Sequence, residues 1–288
     1  MPLTGAGNIV APAVREGRGV GAFNVIQLEH AQAIVAGAEA GHSAVILQIS
    51  QNAVRYHGGL APLANAAMTL AREASVPVAV HLDHATDVSL VREAVDLGIG
   101  SVMFDASALA YEQNVNATAE VVALCHDAGV WVEAELGEVG GKDGVHAPGA
   151  RTDPHEGAEF VARTGIDALA VAVGTSHAML TRTAVLDLDL ITALRAAVPV
   201  PLVLHGSSGA SDATLAAAVS HGMTKINIAT HLNKAFTEAA RRRLAEDPSL
   251  VDTRAYLGDG RKAVAEEVTR LLAVLSAAPA SDQAEDLC

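Results

Sequence analysis

Apolar runs and helix-like stretches alternate along the chain with a repeat of about 30 residues. Eight runs read as buried strands: GVGAFNV (19–25), SAVILQIS (43–50), VPVAVHLDH (76–84), SVMFDAS (101–107), VWVEAEL (130–136), ALAVAVGT (168–175), PLVLHGS (201–207) and KINIAT (225–230). Between them lie patterns with helical spacing, such as EHAQAIVAGAEAG (29–41), SLVREAVDLG (89–98) and SDATLAAAVSHG (211–222). These three end in Gly, the residue that most readily follows a helix C-terminus. Apolar strands separated by helices imply parallel βαβ units buried on both faces.

Eight such units predict an α/β fold, a (β/α)8 TIM barrel forming a single domain over residues 1–275. A doubly wound open sheet is the runner-up, but it carries fewer strands and a Gly-rich turn after the first. Here strand one runs into FNVIQLEH. Residues 231–275 supply a last barrel helix and one more, RKAVAEEVTRLLAVL, and the segment 276–288, SAAPASDQAEDLC, reads as a disordered tail.

Composition narrows the partners. The 288 residues are half apolar, enough for a large core, and the formal net charge is -14. That charge argues against a nucleic-acid partner, whose phosphates demand a basic face. A small phosphate can still be held by backbone N–H groups. The two cysteines, Cys125 and Cys288, form no disulfide framework and suit a reducing, cytoplasmic location. The N-terminus lacks the charged and apolar segments of a signal peptide. No apolar run reaches the roughly 20 residues of a membrane span.

In a barrel of this kind the chemistry gathers at the C-terminal ends of the strands. Strand three ends in Asp83 and His84, the segment after strand six carries His177, and strand seven reaches His205. Three imidazoles converging from three strand mouths, with a fourth position open, make a catalytic zinc arrangement. His81, two residues earlier, reads as interior. His57, His126, His146, His155 and His221 fall in helical or loop segments and read as solvated. Asp83 could orient an imidazole, bind the metal or move a proton to or from a substrate hydroxyl. It is a poor helix cap, since Thr86 or Asp87 is better placed. HGSSG (205–209) and NIAT (227–230) each precede a helix, in the two loops where such barrels commonly bind phosphate. Ser207 and Thr230 can add hydroxyl donors there.

AFNV (22–25), LQIS (47–50), HLDH (81–84), VEAELGEVGG (132–141), GTSH (174–177), LVLHGSSG (202–209) and KINIAT (225–230) together resemble the class II, zinc-dependent ketose-bisphosphate aldolases over nearly the whole chain. The resemblance implies a (β/α)8 barrel, assembled as a homodimer or homotetramer, that cleaves a ketose 1,6-bisphosphate. Fructose 1,6-bisphosphate is the favoured substrate, and tagatose bisphosphate or another ketose phosphate is the alternative. It further implies that His84, His177 and His205 bind Zn2+, with Glu135 touching the metal in a resting position. Asp83 would be the acid/base at the hydroxyl beside the cleaved bond. Gly206, Ser208, Asn227, Ala229 and Thr230 would hold the dihydroxyacetone-phosphate half, with Asn227 near the enediolate. Asn24 and Ser50 would line the substrate, and a monovalent cation, K+ or Na+, would lie beside the phosphate.

Departures from the family pattern concern the aldehyde half. The loop after strand five commonly carries a Glu that handles the enediolate proton. Here it reads GGKDGVHAPGA (140–150), and the matching residue is Asp143, with Glu138 as the other candidate. Ala178 stands where Gly commonly follows the second metal histidine, and MLTRTAVLD (179–187) replaces the usual Tyr-Lys. Arg254 is the candidate for the basic residue that a neighbouring subunit lends to the distal phosphate. It is preceded by Thr253 rather than the common Pro.

Other chemistries fit less well. A Schiff-base aldolase needs an inner-strand lysine, and only Lys225, at the start of strand eight, offers one. An amidohydrolase-type barrel wants an H-x-H pair where this chain has AFNVIQ. A non-catalytic sugar-phosphate binder, the reading from a different class, is opposed by the three histidines together with Asp83.

Overall fold

The computed structural model describes residues 2–136, 151–175 and 181–276. Eight parallel strands close into a barrel in chain order: β1 (Val20–Asn24), β2 (Val45–Ser50), β3 (Val78–Ala85), β4 (Ser101–Phe104), β5 (Trp131–Glu135), β6 (Ala168–Ala170), β7 (Leu202–Leu204) and β8 (Met223–Ile228), which pairs back onto β1. Around and between them run α1 (Ala6–Glu16), α2 (Leu28–Ala40), α3 (Gln51–His57), α4 (Ala61–Glu73), α5 (Val88–Asp96), α6 (Tyr111–Asp127), α7 (Pro154–Thr164), α8 (Leu188–Ala197), α9 (Asp212–His221), α10 (Thr230–Glu246) and α11 (Thr253–Ser276). The expected (β/α)8 barrel is therefore present.

The strands alternate strictly enough to sort their side chains into two shells. Phe23, Leu47, Ile49, Val80 and Leu82 belong to the large core between strands and helices. The intervening Ala22, Ile46 and Ala79 face the barrel interior, where they meet Ile9 and Val10 of α1. That helix plugs the N-terminal end of the barrel with apolar side chains. Alternation with a period of two then carries the inner series upward from Ile46 to Gln48 and Ser50, and from Ala79 to His81 and Asp83. The interior thus grows polar toward the C-terminal mouth.

Helix termini follow local chemistry. Asp87, Asp153, Asp187 and Ser211 cap α5, α7, α8 and α9 by accepting backbone N–H bonds. Asp87, one of the two expected candidates, is thus the cap that leaves Asp83 free for other work. Four features depart from the pattern read along the chain. Helix α1 forms around Pro12, and α3 and α4 occupy the long connection after β2. Strand β6 stops at Ala170, beyond which Ala172 exchanges hydrogen bonds with Thr152 instead of continuing the ladder. Strand β7 stops at Leu204, and the chain turns at Gly206 with φ +68°.

The C-terminal α11 packs along α2 at a glycine. A Cβ on Gly37 would come within 2.6 Å of the Ala265 carbonyl oxygen and 2.8 Å of Val268 Cβ. The Thr269 hydroxyl donates to the Gly37 carbonyl at 3.0 Å. Gly37→Ala should therefore lower the urea-unfolding midpoint, with an overpacking cost of about 1–3 kcal/mol outweighing the helix propensity gained. An unchanged midpoint would show that the two helices can separate without loss.

Candidate active site and metal centre

Strand β3 departs from regular geometry where the chemistry begins. Its register against β4 runs from Leu82↔Val102 to Ala85↔Phe104, so three steps on β3 match two on β4. The extra residue is absorbed at His84, whose φ of +50° lies in the left-handed region. In a regular strand Asp83 and His84 would face opposite sides of the sheet. The bulge lets both line one cleft.

His84 and His205 meet across the mouth. His84 Nδ1 lies 2.8 Å from Asp105 Oδ2, and His205 Nε2 lies 2.9 Å from Glu133 Oε1. Each carboxylate takes the N–H of its imidazole, so the other ring nitrogen of each neutral histidine carries a lone pair. Those two nitrogens, His84 Nε2 and His205 Nδ1, face each other at 3.0 Å. Two lone pairs at that separation repel unless a cation lies with them. A carboxylate oxygen of Glu135, at the end of β5, completes a set of three donor atoms within 4.8 Å of one another. Two imidazoles and a carboxylate suit a divalent transition metal, so the residues present fit the metal. In the metal-free protein a proton does the same work. Burial disfavours the charged His84, but Asp83, the hydrogen bond to Asp105 and Glu135 overcome this and raise its pKa to about 10. For Asp105, burial acts upward and the bond to His84 downward, and the downward effect wins.

Beside this pair is a cleft of about 170 Å³ lined by Asn24, Ser50, Asp83, Gly206, Asn227 and Thr230, and also by Ser208 and Ala229. Asp83 is buried; its Oδ2 accepts from Asn24 Nδ2 at 3.4 Å, while Oδ1 has no hydrogen-bond partner among the described residues. Ser50 pairs with Asp83 in the sheet register and also caps α3. On the opposite wall, Ser208 Oγ accepts from the backbone N–H groups of Ala229 and His231, both at 3.3 Å, at the start of α10.

Most of the site expected from the strand ends is thus assembled in one place, with differences. Ser207 is buried and turns its hydroxyl onto the Leu204 carbonyl, so the hydroxyls left in the two loops are those of Ser208 and Thr230. Arg254 lies exposed at the start of α11, paired with Asp252. His177, Ala178, Glu138, Asp143 and His146 lie outside the described residues. His81 is interior, 2.5 Å from Ser101 Oγ, and burial with the nearby Lys225 charge holds its pKa well below the usual value. His57 and His155 are exposed, and His126 pairs with Asp167 at the surface. Asp105 was not read from the chain as a functional residue. Its signal is a carboxylate at the mouth of strand four, in FDAS. The other unread feature is a polar layer beneath the mouth: Gln48, Glu133 and Lys225 are fully buried inside the barrel. Lys225 is ion-paired to Glu133 at 2.8 Å and so is not a free amine.

A (β/α)8 barrel whose mouth brings two imidazoles and a carboxylate within reach of one cation, beside a polar cleft, has the donor set of a metal-dependent enzyme. The family model described as fructose-bisphosphate aldolase class-II matches residues 5–279. The chain is 42% identical over 268 residues to a fructose-bisphosphate aldolase of Geobacillus stearothermophilus, covering 92% of this chain and 93% of that one. It is 41% identical over 272 residues to a probable fructose-bisphosphate aldolase of Bacillus subtilis (strain 168), covering 93% and 95%. The crystal structure of the YdjI aldolase from Escherichia coli K12 superposes with a TM-score of 0.82 at 33% identity, covering 95% and 97%. The chain belongs to the class II fructose-bisphosphate aldolase family. It is an aldolase, a carbon–carbon lyase, of a family that uses a divalent metal.

Asp105 should reach the metal centre through His84, while its other oxygen accepts from Ser107. Asp105→Ala is expected to weaken divalent-metal affinity about 10–100-fold while the fold persists. Competition with a chromogenic chelator, together with circular dichroism, measures both. Wild-type affinity in the variant would show that His84 needs no orienting carboxylate.

Proposed function

We propose that this protein cleaves fructose 1,6-bisphosphate reversibly to dihydroxyacetone phosphate and glyceraldehyde 3-phosphate, with Zn2+ held by His84, His177 and His205. Glu135 serves as an alternate ligand when substrate is absent. The observation that carries the reading is Asp83: a buried carboxylate beside a metal histidine, with one oxygen left for a ligand in the cleft.

Cleavage beside a ketone leaves an electron pair that needs a sink, and the bound metal supplies one as a Lewis acid. Asp83 takes the proton from the hydroxyl whose carbon becomes the aldehyde. As that bond to carbon breaks, Asn227 donates its amide N–H to the enediolate. Backbone N–H groups at the start of α10, with Gly206, Ser208 and Thr230, hold the ketose phosphate. Ser208 Oγ is a neutral acceptor at 3.3 Å from two of those donors, and a phosphate oxygen is a stronger one. Asn24 and Ser50 position the sugar hydroxyls from β1 and β2. Asp143 exchanges the proton at the enediolate carbon.

The same reading includes K+ or Na+ beside the phosphate and Arg254 reaching the distal phosphate from a neighbouring subunit of a homodimer or homotetramer. A free, buried Cys125 suits a reducing cytoplasm. Among the described residues no helix is long and apolar enough to cross a membrane.

Purified protein should release dihydroxyacetone phosphate from fructose 1,6-bisphosphate, faster than from tagatose 1,6-bisphosphate, and lose this activity to chelator. His205→Ala should lose metal and cleavage together. Asp83→Ala should keep the metal and lose about 10²–10⁴-fold in kcat, the range for a general acid/base. Normal cleavage by the Asp83 variant would sink the proton-transfer role, and chelator-resistant cleavage would sink the metal.

A further inference from the structure

Beneath the mouth, one buried ammonium sits where several side-chain amides need their polarity decided. Lys225 Nζ on β8 donates to Gln48 Oε1 on β2 and to Asn227 Oδ1 at 2.8 Å, and pairs with Glu133 Oε2 on β5 at 2.8 Å. All of these groups except Asn227 are wholly removed from solvent, and Asn227 is 8% exposed.

An amide side chain has one accepting and one donating end, and its neighbours decide which end faces where. An ammonium can only donate. It therefore draws the carbonyl oxygens of both Gln48 and Asn227 toward itself and turns their NH2 groups away. Along the first arm, Gln48 Nε2 donates to Asn24 Oδ1 at 3.2 Å. That in turn leaves Asn24 Nδ2 directed at Asp83 Oδ2. Along the second arm, the Asn227 NH2 is turned to the cleft side, 3.1 Å from His205 Nε2. That imidazole N–H is already given to Glu133, so the Asn227 donor remains for a ligand oxygen. The third arm runs through Glu133 itself. Glu133 Oε1 accepts from His205 Nε2 at 2.9 Å, which leaves the lone pair of that ring on Nδ1.

We propose that Lys225 is a positioning residue for the aldol reaction: its ammonium sets the hydrogen-bond polarity of Gln48, Asn24, Asn227 and, through Glu133, His205, so that donors and lone pairs face the cleft in the order the reaction needs. The inference rests on the proposed roles of Asp83 and Asn227. Lys225 touches neither metal nor substrate in this assignment. The alternative is that it only neutralises Glu133 and holds the barrel together.

Lys225→Met keeps most of the length of the side chain and removes its donors. Because this leaves Glu133 buried without its partner, the double variant Lys225→Met/Glu133→Gln removes both charges and serves where the single one fails to fold. The first readout is the side-chain amide 1H–15N signals of Asn24, Gln48 and Asn227 in the metal-free protein, assigned by loss of each signal in the matching Asp or Glu variant. The second is steady-state cleavage by the zinc-loaded folded fraction. Displacement of all three amide signals is expected, together with a fall in kcat of about 10–100-fold and a KM within about twofold. Unmoved amide signals, or kcat restored once folded fraction is counted, would overturn the proposal and leave Lys225 a structural counter-charge. If the wild-type protein cleaves no ketose bisphosphate, the functional reading fails, while the amide signals still decide whether Lys225 sets the polarity.

Discussion

A parallel sheet closed on itself has no edge, and every strand must send alternate side chains to one shared axis. Eight strands therefore bring eight inner series into the same small volume, and at the C-terminal end that volume opens. The groups that line the cleft of this aldolase sit far apart in the chain, from Asn24 to Thr230, yet meet there because closure leaves them nowhere else to point. One local irregularity, the extra residue in β3, is what allows two adjacent residues, Asp83 and His84, to share that cleft.

Polarity in the interior must be satisfied internally. Glu133 and Lys225 are each buried, and removing one partner of such a pair typically costs about 3–5 kcal/mol. Apolar residues of similar size could fill the same space without that risk. What they could not do is tell an amide which way to face. In the proposed assignment the buried layer stands one step behind the metal-binding histidines, holding the groups that touch them. Asp105 does for His84 what Glu133 does for His205: each carboxylate fixes one ring nitrogen so that the other is available.

Much of this was legible in the chain. Eight apolar runs with helical spacers announce the barrel, and polar residues at their C-terminal ends announce the cleft, because both follow from periodicity. His84, His205, Asp83 and the two Gly-Ser and Asn-Thr loops could be marked that way. The bulge could not, since it depends on how β3 registers against β4, a relation between strands rather than within one. The polar layer left a faint trace, as Gln48 in VILQIS, Glu133 in VWVEAEL and Lys225 in KINIAT each interrupt an apolar run. Reading Lys225 as a possible nucleophile required ignorance of its neighbour Glu133, which lies 92 positions earlier in the numbering and 2.8 Å away in space. Strands β6 and β7 are shorter than their apolar runs, because Thr152 and Gly206 redirect the backbone before the apolar composition ends.

The helix at the foot of the barrel gives the interior an asymmetry with its own consequence. With Ile9 and Val10 of α1 packed against Val20, Ala22, Ile46 and Ala79, the floor of the barrel is apolar and buried. A hydrogen bond lost in the layer above cannot be repaired from that side by a water molecule, which would need polar partners and a path. Most protein surfaces forgive a missing polar atom because solvent backfills it. This interior is a well with a dry floor, so its amides, carboxylate and ammonium stand or fail as a set.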